Sequence, residues 1–534
     1  MSVLRNTSLV GAMTFLSRLS GMVRDQVYSV MFGAGPLMDA FLVAFKIPNF
    51  LRRITGEGAF SQAFVPVVSE YRHQKTEDEQ RELIAGVMGT FGVVLAGITA
   101  LGVIAAPLVI LLFAPGFDAG GERHDLAVDM LRWTFPYIFF ISLTALAGGV
   151  VNSYGRFGAA AFNSVLLNLV MIVSAAFVAP RCERPGIALA VGVFIAGVLQ
   201  LAMQLWGLKR LGLLRRPQWT LLHEGVRRVG RLMLPGIFGS SVAQISLLLD
   251  TWIASFLVTG SIGWMYYADR LVEFPMGVFS IALATVILPG LSAHHAAQSG
   301  ERFNTMLDWA LRLVFMVTVP AAVGLFALAG PLCATIYGYG KFESHDVTMA
   351  SYALMTYSVG LLAFSLVKVL APGYFARQDT KTPVRVGIIS LSTNMSFNLL
   401  VVVPYAYFGG TAPHALLALS TGIGAYVNCF LLWRGLRRQG VYHPAMARWR
   451  KLALQLVVAN VVMGLFLWWS AGTWEAWTQW HWSTRVLRLA LCVAGGMGLY
   501  AGVLWVTGLR PADLRMPAPV AAATPASDPG QQVQ

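Results

Sequence analysis

The sequence predicts an all-α integral membrane protein that crosses the bilayer about fourteen times. Three observations carry the prediction: a strongly apolar composition, apolar runs of spanning length from end to end, and basic residues confined to alternate loops. Apolar residues fill 56% of the 534 positions and charged residues only 12%, where a soluble domain carries roughly a quarter. Mean hydropathy is +0.64. A net charge of +14 would suit a nucleic-acid binder. Here the Lys and Arg lie in short loops between apolar runs, where the positive-inside rule puts them. Nucleic acid is therefore not an expected partner.

Taken in chain order, the spans fall at 8–31, 36–68, 83–113, 125–152, 158–180, 186–208, 230–257, 262–292, 305–337, 347–375, 383–406, 412–436, 452–471 and 485–508. The first two are assigned in spite of the charges they carry. With a cytoplasmic N-terminus, every even-numbered span ends in the cytoplasm. Those ends carry Arg72 and Lys75, then Arg156, then a cluster from Lys209 to Arg231, then Arg302, then Arg377, Lys381 and Arg385, then a cluster from Arg434 to Lys451. The opposite loops, FDAGGERHD, VTGSIG, YGKFESHD, GGTAP and AGTWEAWTQWHW, are poor in Lys and Arg. One missed helix would break this alternation. Both termini are thus expected in the cytoplasm, with the chain in the inner membrane. Trp474, Trp477, Trp480 and Trp482 are expected to form an interfacial aromatic cluster on the periplasmic side. No cleavable signal peptide is evident at the N-terminus, and the stretch rich in Ala, Pro and Gln from Met516 to Gln534 reads as a disordered tail. Cys182, Cys333, Cys429 and Cys492 are too scattered for a metal site or a disulfide framework.

The chain also repeats itself. In FGAGPLMDAFLVAFKIPN, Gly33 precedes Pro48 by fifteen residues; in VTGSIGWMYYADRLVEFP, Gly260 precedes Pro275 by fifteen. Each segment runs on to a second proline, Pro66 or Pro289. NSYGRFG (152–158) and PGYFARQ (372–378) both follow a fourth span. The spacing predicts two six-helix lobes, 1–215 and 216–440, related by a parallel repeat, then a C-terminal helix pair at 441–510 and the tail at 511–534. Transporters built from such repeats bind substrate between the lobes.

Charges inside spans cost about 2.5–3.5 kcal/mol at the bilayer centre and mark functional sites by default. Here they cluster. The first span carries Arg18, Arg24 and Asp25; the second carries Asp39, Lys46, Arg52, Arg53 and Glu57; the eighth carries Asp269, Arg270 and Glu273. Asp250 and Lys368 sit in the seventh and tenth. Asn49 lies three residues from both Lys46 and Arg52, and Asp269 and Glu273 share a helix face with Arg270 off it. Pro48 and the GEG sequence at 56–58 should interrupt the second span, which is tolerated where backbone lines a cavity. Arg18, Arg24, Arg52 and Arg270 give that cavity surplus positive charge, and guanidinium forks match phosphate oxygens in bidentate geometry. A membrane-borne diphosphate fits. Arg53, Asp25 and Lys368 serve equally well as snorkelling end residues or as ion pairs between lobes. Histidines fall in or next to loops, so a histidine proton relay has no basis. No P-loop, HExxH, GxSxG or acidic metal cluster is present, so the chain is expected to be no enzyme and to need no cofactor or metal.

SRLSGMVRD (17–25), FGAGPLMDAFLVAFKIPNFLRRITGEGAFSQAFVP (32–66), WMYYADRLVEFP (264–275), DWALRL (308–313) and KVLAPGYFARQDTKTPV (368–384) resemble the MurJ (MviN) family. These are lipid II flippases of bacterial peptidoglycan synthesis, within the multidrug/oligosaccharidyl-lipid/polysaccharide exporter superfamily. The likeness runs from about residue 5 to 508. It implies two lobes around a cationic cavity and a C-terminal pair forming a groove for the polyprenyl tail. It further implies that Arg18, Arg24, Arg52 and Arg270 act in transport, with acidic partners Asp39, Glu57 and Asp269. Ser17 and Asn49 share those motifs and could bond sugar or phosphate; Asp25, Lys46, Arg53, Glu273 and Lys368 form a second tier.

The expected partners are lipid II (an undecaprenyl-diphosphate-linked disaccharide peptide), membrane lipids and the cell-wall synthesis machinery. The expected mechanism is alternating access from the cytoplasmic to the periplasmic leaflet. The alternatives left open are an exporter or flippase for another anionic glycolipid or a drug, and a membrane scaffold that transports nothing.

Overall fold

The computed structural model describes residues 2–53, 61–220, 223–297 and 299–510. Glu57, the GEG sequence and the tail from 511 lie outside those residues. The described chain is helical, with no strand among its elements. In order the helices are α1 (Ser2–Phe32), α2 (Pro36–Arg52), α3 (Ser61–Gln74), α4 (Glu77–Ile104), α5 (Ala106–Phe113), α6 (Glu122–Thr134), α7 (Tyr137–Ser153), α8 (Gly158–Val173), α9 (Pro185–Arg210), α10 (Glu224–Ser255) and α11 (Ser261–Ala296). They continue with α12 (Gly300–Ala327), α13 (Ala329–Ile336), α14 (Ser344–Phe375), α15 (Lys381–Phe397), α16 (Val403–Tyr407), α17 (Pro413–Arg438), α18 (Met446–Ala471), α19 (Trp474–Gln479) and α20 (Trp482–Val506).

Among the described residues, ten helical segments are long and apolar enough to cross a membrane. Four expected spans fall outside that set: α1, α2 with α3, α10 and α11. Local sequence explains where helices begin. Thr76 and Glu79 form a capping box, with Glu79 N bonding Thr76 Oγ1 at 3.3 Å and Thr76 N bonding Glu79 Oε2 at 2.9 Å. Proline opens α2, α9 and α17, where its missing N–H costs nothing. Pro275 and Pro289 do not break α11, which runs for 36 residues through both.

The repeat is visible in local structure. Gly33, between α1 and α2, and Gly260, between α10 and α11, both sit at positive φ, 67° and 97°, where a β-carbon is strained. The fifth and eleventh spans each widen into a five-residue π-helical turn, Ser174–Val178 and Asn398–Val402. The sixth and twelfth each end with an arginine over a tryptophan four residues earlier, Arg210 on Trp206 and Arg437 on Trp433.

By packing, the chain divides into two compact units. The first comprises Met1–Tyr267, Ile336–Ala350 and Val402–Leu417; the second comprises Ala268–Thr335, Ser351–Val401 and Ala418–Gln534. This division cuts across α11 and α14 and does not follow chain order. In the first unit α1 packs on α8, α2 on α6, and α7 on α9. Residues 211–220, between α9 and α10, lie along the small-residue face of α4. Gln218 N donates to Ala85 O at 3.0 Å, and a β-carbon on Gly89 would sit 2.2 Å from Gln218 O.

In the second unit, buried Leu307, Leu370, Tyr374 and Leu436 anchor a core shared by α12, α14 and α17. The carboxylate of Asp308 accepts from Tyr442 Oη at 2.9 Å and Trp449 Nε1 at 2.7 Å, and Oδ2 pairs with Arg312 Nε at 3.0 Å. Burial first, then the Asp308 charge, pushes the Tyr442 phenol well above its usual range, so it remains a donor. The helices α18 and α20 pack as a pair. The expected tryptophan cluster is split: Trp482 is exposed, but Trp477 is fully buried and donates Nε1–H to Ala471 O at 2.7 Å. Turning the indole inward satisfies its N–H within the protein. Arg485 is buried beside it, donating to the carbonyls of Trp480, Ala334 and Thr478.

Candidate functional site

In the first unit the expected charges are gathered into a polar network. Here α1 packs on α8. Asn168 donates to Ser17 O and Ser20 Oγ, both at 3.0 Å, and its Oδ1 accepts from Arg24 Nη1 at 3.0 Å. Arg24 also donates through Nε and Nη2 to Asp25 Oδ1, at 2.9 and 2.7 Å. Tyr266, on α11, donates to the same oxygen at 2.7 Å. Arg24 is 9% and Asp25 1% exposed, which makes this an almost fully desolvated ion pair. Such a pair holds only because its remaining polar atoms are bonded as well.

Further along, Lys46 on α2 bonds Thr251 Oγ1 on α10. Asn49 bridges along its own helix, donating to Phe45 O at 3.1 Å and accepting from Arg52 Nε at 3.3 Å. Arg18 and Arg52 are half-buried and Arg53 is exposed.

Asp39 is completely buried. Its carboxylate accepts from Gly260 N at 2.7 Å and Gly263 N at 2.9 Å, so it caps the N-terminus of α11 from another helix. Substrate contact by Asp39 would require this cap to open. Around it the Lys/Arg-poor loops meet almost backbone to backbone. Lys341 N donates to Val30 O at 2.9 Å and Tyr267 Oη to Gly33 O at 3.1 Å. A β-carbon on Gly33 would lie 2.5 Å from Lys341 O, and one on Gly260 2.6 Å from Ala34 O. Trp264 donates to Asp346 at 2.8 Å and packs on His414, whose Nε2 meets Met349 O at 2.9 Å.

In the second unit Arg270 and Glu273 form an ion pair at 2.6 Å, with both side chains roughly 40% exposed. The face-sharing expected of Asp269 and Glu273 is thus accompanied by a pair three residues apart, reached by Arg270 across one helical turn. Asp269 and Lys368 are half-buried in the same unit. The residues that sequence reasoning missed are Asn168, Tyr266 and Thr251. Asn168 carried a signal, a carboxamide in the middle of an apolar run; Tyr266 lay inside a motif but had no charge to mark it. No cluster of His, Cys, Asp and Glu among the described residues could hold a metal ion.

A family model described as "Lipid II flippase MurJ" matches residues 28–489. The chain is 43% identical over 514 residues to the probable lipid II flippase MurJ of Haemophilus influenzae, covering 93% of this chain and 98% of that protein. It is 42% identical over 521 residues to the lipid II flippase MurJ of Burkholderia cenocepacia, covering 96% and 99%. A solved lipid II flippase MurJ in an inward closed conformation matches with a TM-score of 0.76 at 25% identity, covering 93% of this chain and 98% of that one. An inward-facing multidrug resistance MATE family transporter of the MOP superfamily shares the fold, with a TM-score of 0.65 at 16% identity and coverage of 80% and 95%.

Proposed function

The chain belongs to the lipid II flippase MurJ family, a multi-pass inner-membrane protein by that membership and its apolar helices, and on that premise we propose that it moves lipid II from the cytoplasmic to the periplasmic leaflet. The observation that carries the reading is the family match across nearly the whole chain, together with intramembrane arginines on α1, α2 and α11. Arg18, Arg24, Arg52 and Arg270 take the diphosphate, and Asn49 and Ser17 bond it or the sugars. Lys46, Arg53, Glu273 and Lys368 shape the same cavity. Asp269 and Glu57 balance its charge. The polyprenyl chain stays in lipid or against the C-terminal helix pair.

The lobes 1–215 and 216–440 exchange access around this site, while both termini face the cytoplasm. The close packing of the Lys/Arg-poor turns in the first unit supports a conformation shut toward the periplasm. Opening it releases Asp39 from α11 and leaves a carboxylate that repels the departing diphosphate. Contact with the cell-wall synthesis machinery belongs to the same reading.

The test uses cells depleted of their own flippase and complemented with this chain or its Arg270→Ala variant. Labelled lipid II is quantified on each face of the inner membrane. The reading expects precursor to accumulate inside and only the unmutated chain to clear it. If neither chain clears it, the substrate is a different one. If the variant clears it as well, at equal expression, Arg270 is structural.

A further inference from the structure

In the second unit, a cavity of about 420 Å³ opens where the end of α11, the start of α12, the α14–α15 turn and the α17–α18 turn converge. The three loops involved belong to the Lys/Arg-rich set. His294, Ser299, Glu301, Asn304, Arg377 and His443 line it. Arg377 lies in the PGYFARQ motif, which the transport site does not use.

Each part of the wall is held in place. Arg377 Nη1 donates to Gln439 Oε1 at 2.6 Å, which leaves Nε and Nη2, a bidentate edge of the guanidinium, for a ligand. The turn that presents it is constrained: Gln378 has φ 60°, the positive-φ non-glycine residue of the described chain. Asp379 accepts from Thr382 N at 3.0 Å and Thr382 Oγ1 at 2.6 Å. Those bonds hold the Asp379 carboxyl below its usual range. Opposite, Asn304 and the His443 backbone exchange hydrogen bonds at 3.2 and 2.8 Å.

Two features leave polar groups for a ligand to satisfy. The hydroxyl of Ser299 turns back to His294 O at 3.2 Å, and no side chain caps the first turn of α12, a 28-residue helix. Its N–H groups and positive dipole end therefore face the cavity wall uncapped. Independently, His294 is 7% exposed and its Nδ1 has no hydrogen-bonding partner, a condition that costs roughly 1–3 kcal/mol when left unmet. Glu301, exposed at the rim, disfavours a bare anion but accepts from a hydroxyl or ammonium group.

We propose that this cavity binds a phosphate group that also carries hydroxyl or ammonium donors. Arg377 and the α12 N-terminus take the phosphate oxygens, His294 takes a buried hydrogen bond, and Glu301 takes the donors. A phospholipid headgroup and a soluble phosphate ester share that chemistry. The site stands apart from the transport reading, and its test reads binding rather than flipping.

The experiment uses the full chain purified in phospholipid-free detergent. Dihexanoyl phosphatidylglycerol and sn-glycerol 3-phosphate are each titrated by calorimetry and by phosphorus NMR line width. Saturable binding at one site is expected, weakened at least tenfold by Arg377→Gln and by His294→Leu, and unchanged by Arg434→Gln on a nearby basic helix end. Preference for the short-chain lipid identifies a membrane headgroup; equal affinity identifies a soluble ester. Absence of saturable binding to both probes overturns the proposal. So does wild-type affinity in either cavity variant. If Arg377→Gln does not fold, His294→Leu alone decides.

Discussion

Replacing Asp39 with asparagine tests whether its carboxylate holds the Lys/Arg-poor side shut. The wild-type oxygens accept two backbone N–H bonds, at 2.7 and 2.9 Å, with no exposure to solvent. A hydrogen bond to a charged group contributes about 1.5–3 kcal/mol. Asn keeps one carbonyl oxygen but loses the second acceptor and the charge facing the α11 dipole, so the closed state should weaken by about 2–3 kcal/mol. At 1.36 kcal/mol per decade, the open population rises about 30- to 150-fold. Ser261 is a suitable reporter. It is fully buried next to Gly260 and its Oγ has no partner, so Ser261→Cys changes little in the closed state. Cys182, exposed in the native chain, is first replaced by Ser. An impermeant maleimide added to intact cells should then label the introduced thiol slowly with Asp39 present and about 30- to 150-fold faster in Asp39→Asn. Equal rates at equal expression would refute the reasoning, because the cap would then contribute nothing to closure.

Two more expectations follow from buried ion pairs. Removing either partner of Arg24 and Asp25 strands the other, so Arg24→Ala and Asp25→Ala should each destabilise the chain by about 3–5 kcal/mol. The double variant should cost clearly less than their sum, as thermal unfolding in detergent would show; strict additivity would mean the pair is not coupled. In the second unit, Asp308→Ala strands Tyr442, Trp449 and Arg312 together and should cost about 3–5 kcal/mol. Asp308→Asn keeps one acceptor oxygen, able to serve both Tyr442 and Trp449, and should cost less, about 1–3 kcal/mol; the reverse order in denaturant unfolding would contradict the geometry.

Ten of the expected spans coincide with described helices long and apolar enough to cross a membrane, and they were legible because two independent signals agree on them: apolar length and the alternation of basic loops. The repeat was legible at Gly33 and Gly260 because a left-handed turn restricts the residue that can occupy it. What sequence could not supply was partnership. Arg24 meets Asn168 and Tyr266 across 144 and 242 residues, and no local spacing encodes such a meeting. Asp39 read as one more cavity charge, because the backbone N–H groups it caps leave no mark in a string of letters. Trp477 read as an interfacial anchor for a similar reason: composition places an indole near the membrane surface but does not say which way it turns.

The Arg24–Asp25 pair bears on how a buried guanidinium is held without leaving its charge uncompensated. An isolated guanidinium at this burial would face a desolvation cost of several kcal/mol. Asp25 and Tyr266 supply the missing negative end in this state, and Asn168 completes the fork. On the proposed reading, a diphosphate offers the same kind of acceptor, so engaging Arg24 exchanges one charge-assisted set of bonds for another. The exchange is close to neutral, and on the same reading the net attraction comes from the other proposed arginines. Arg18 and Arg52 are half-buried, and the bond between Arg52 and Asn49, at 3.3 Å, is long. Tight capture would hinder release on the far side. On the proposed reading, one arginine held by its own counter-ion, beside others that are more exposed, lets a highly charged headgroup bind without being retained.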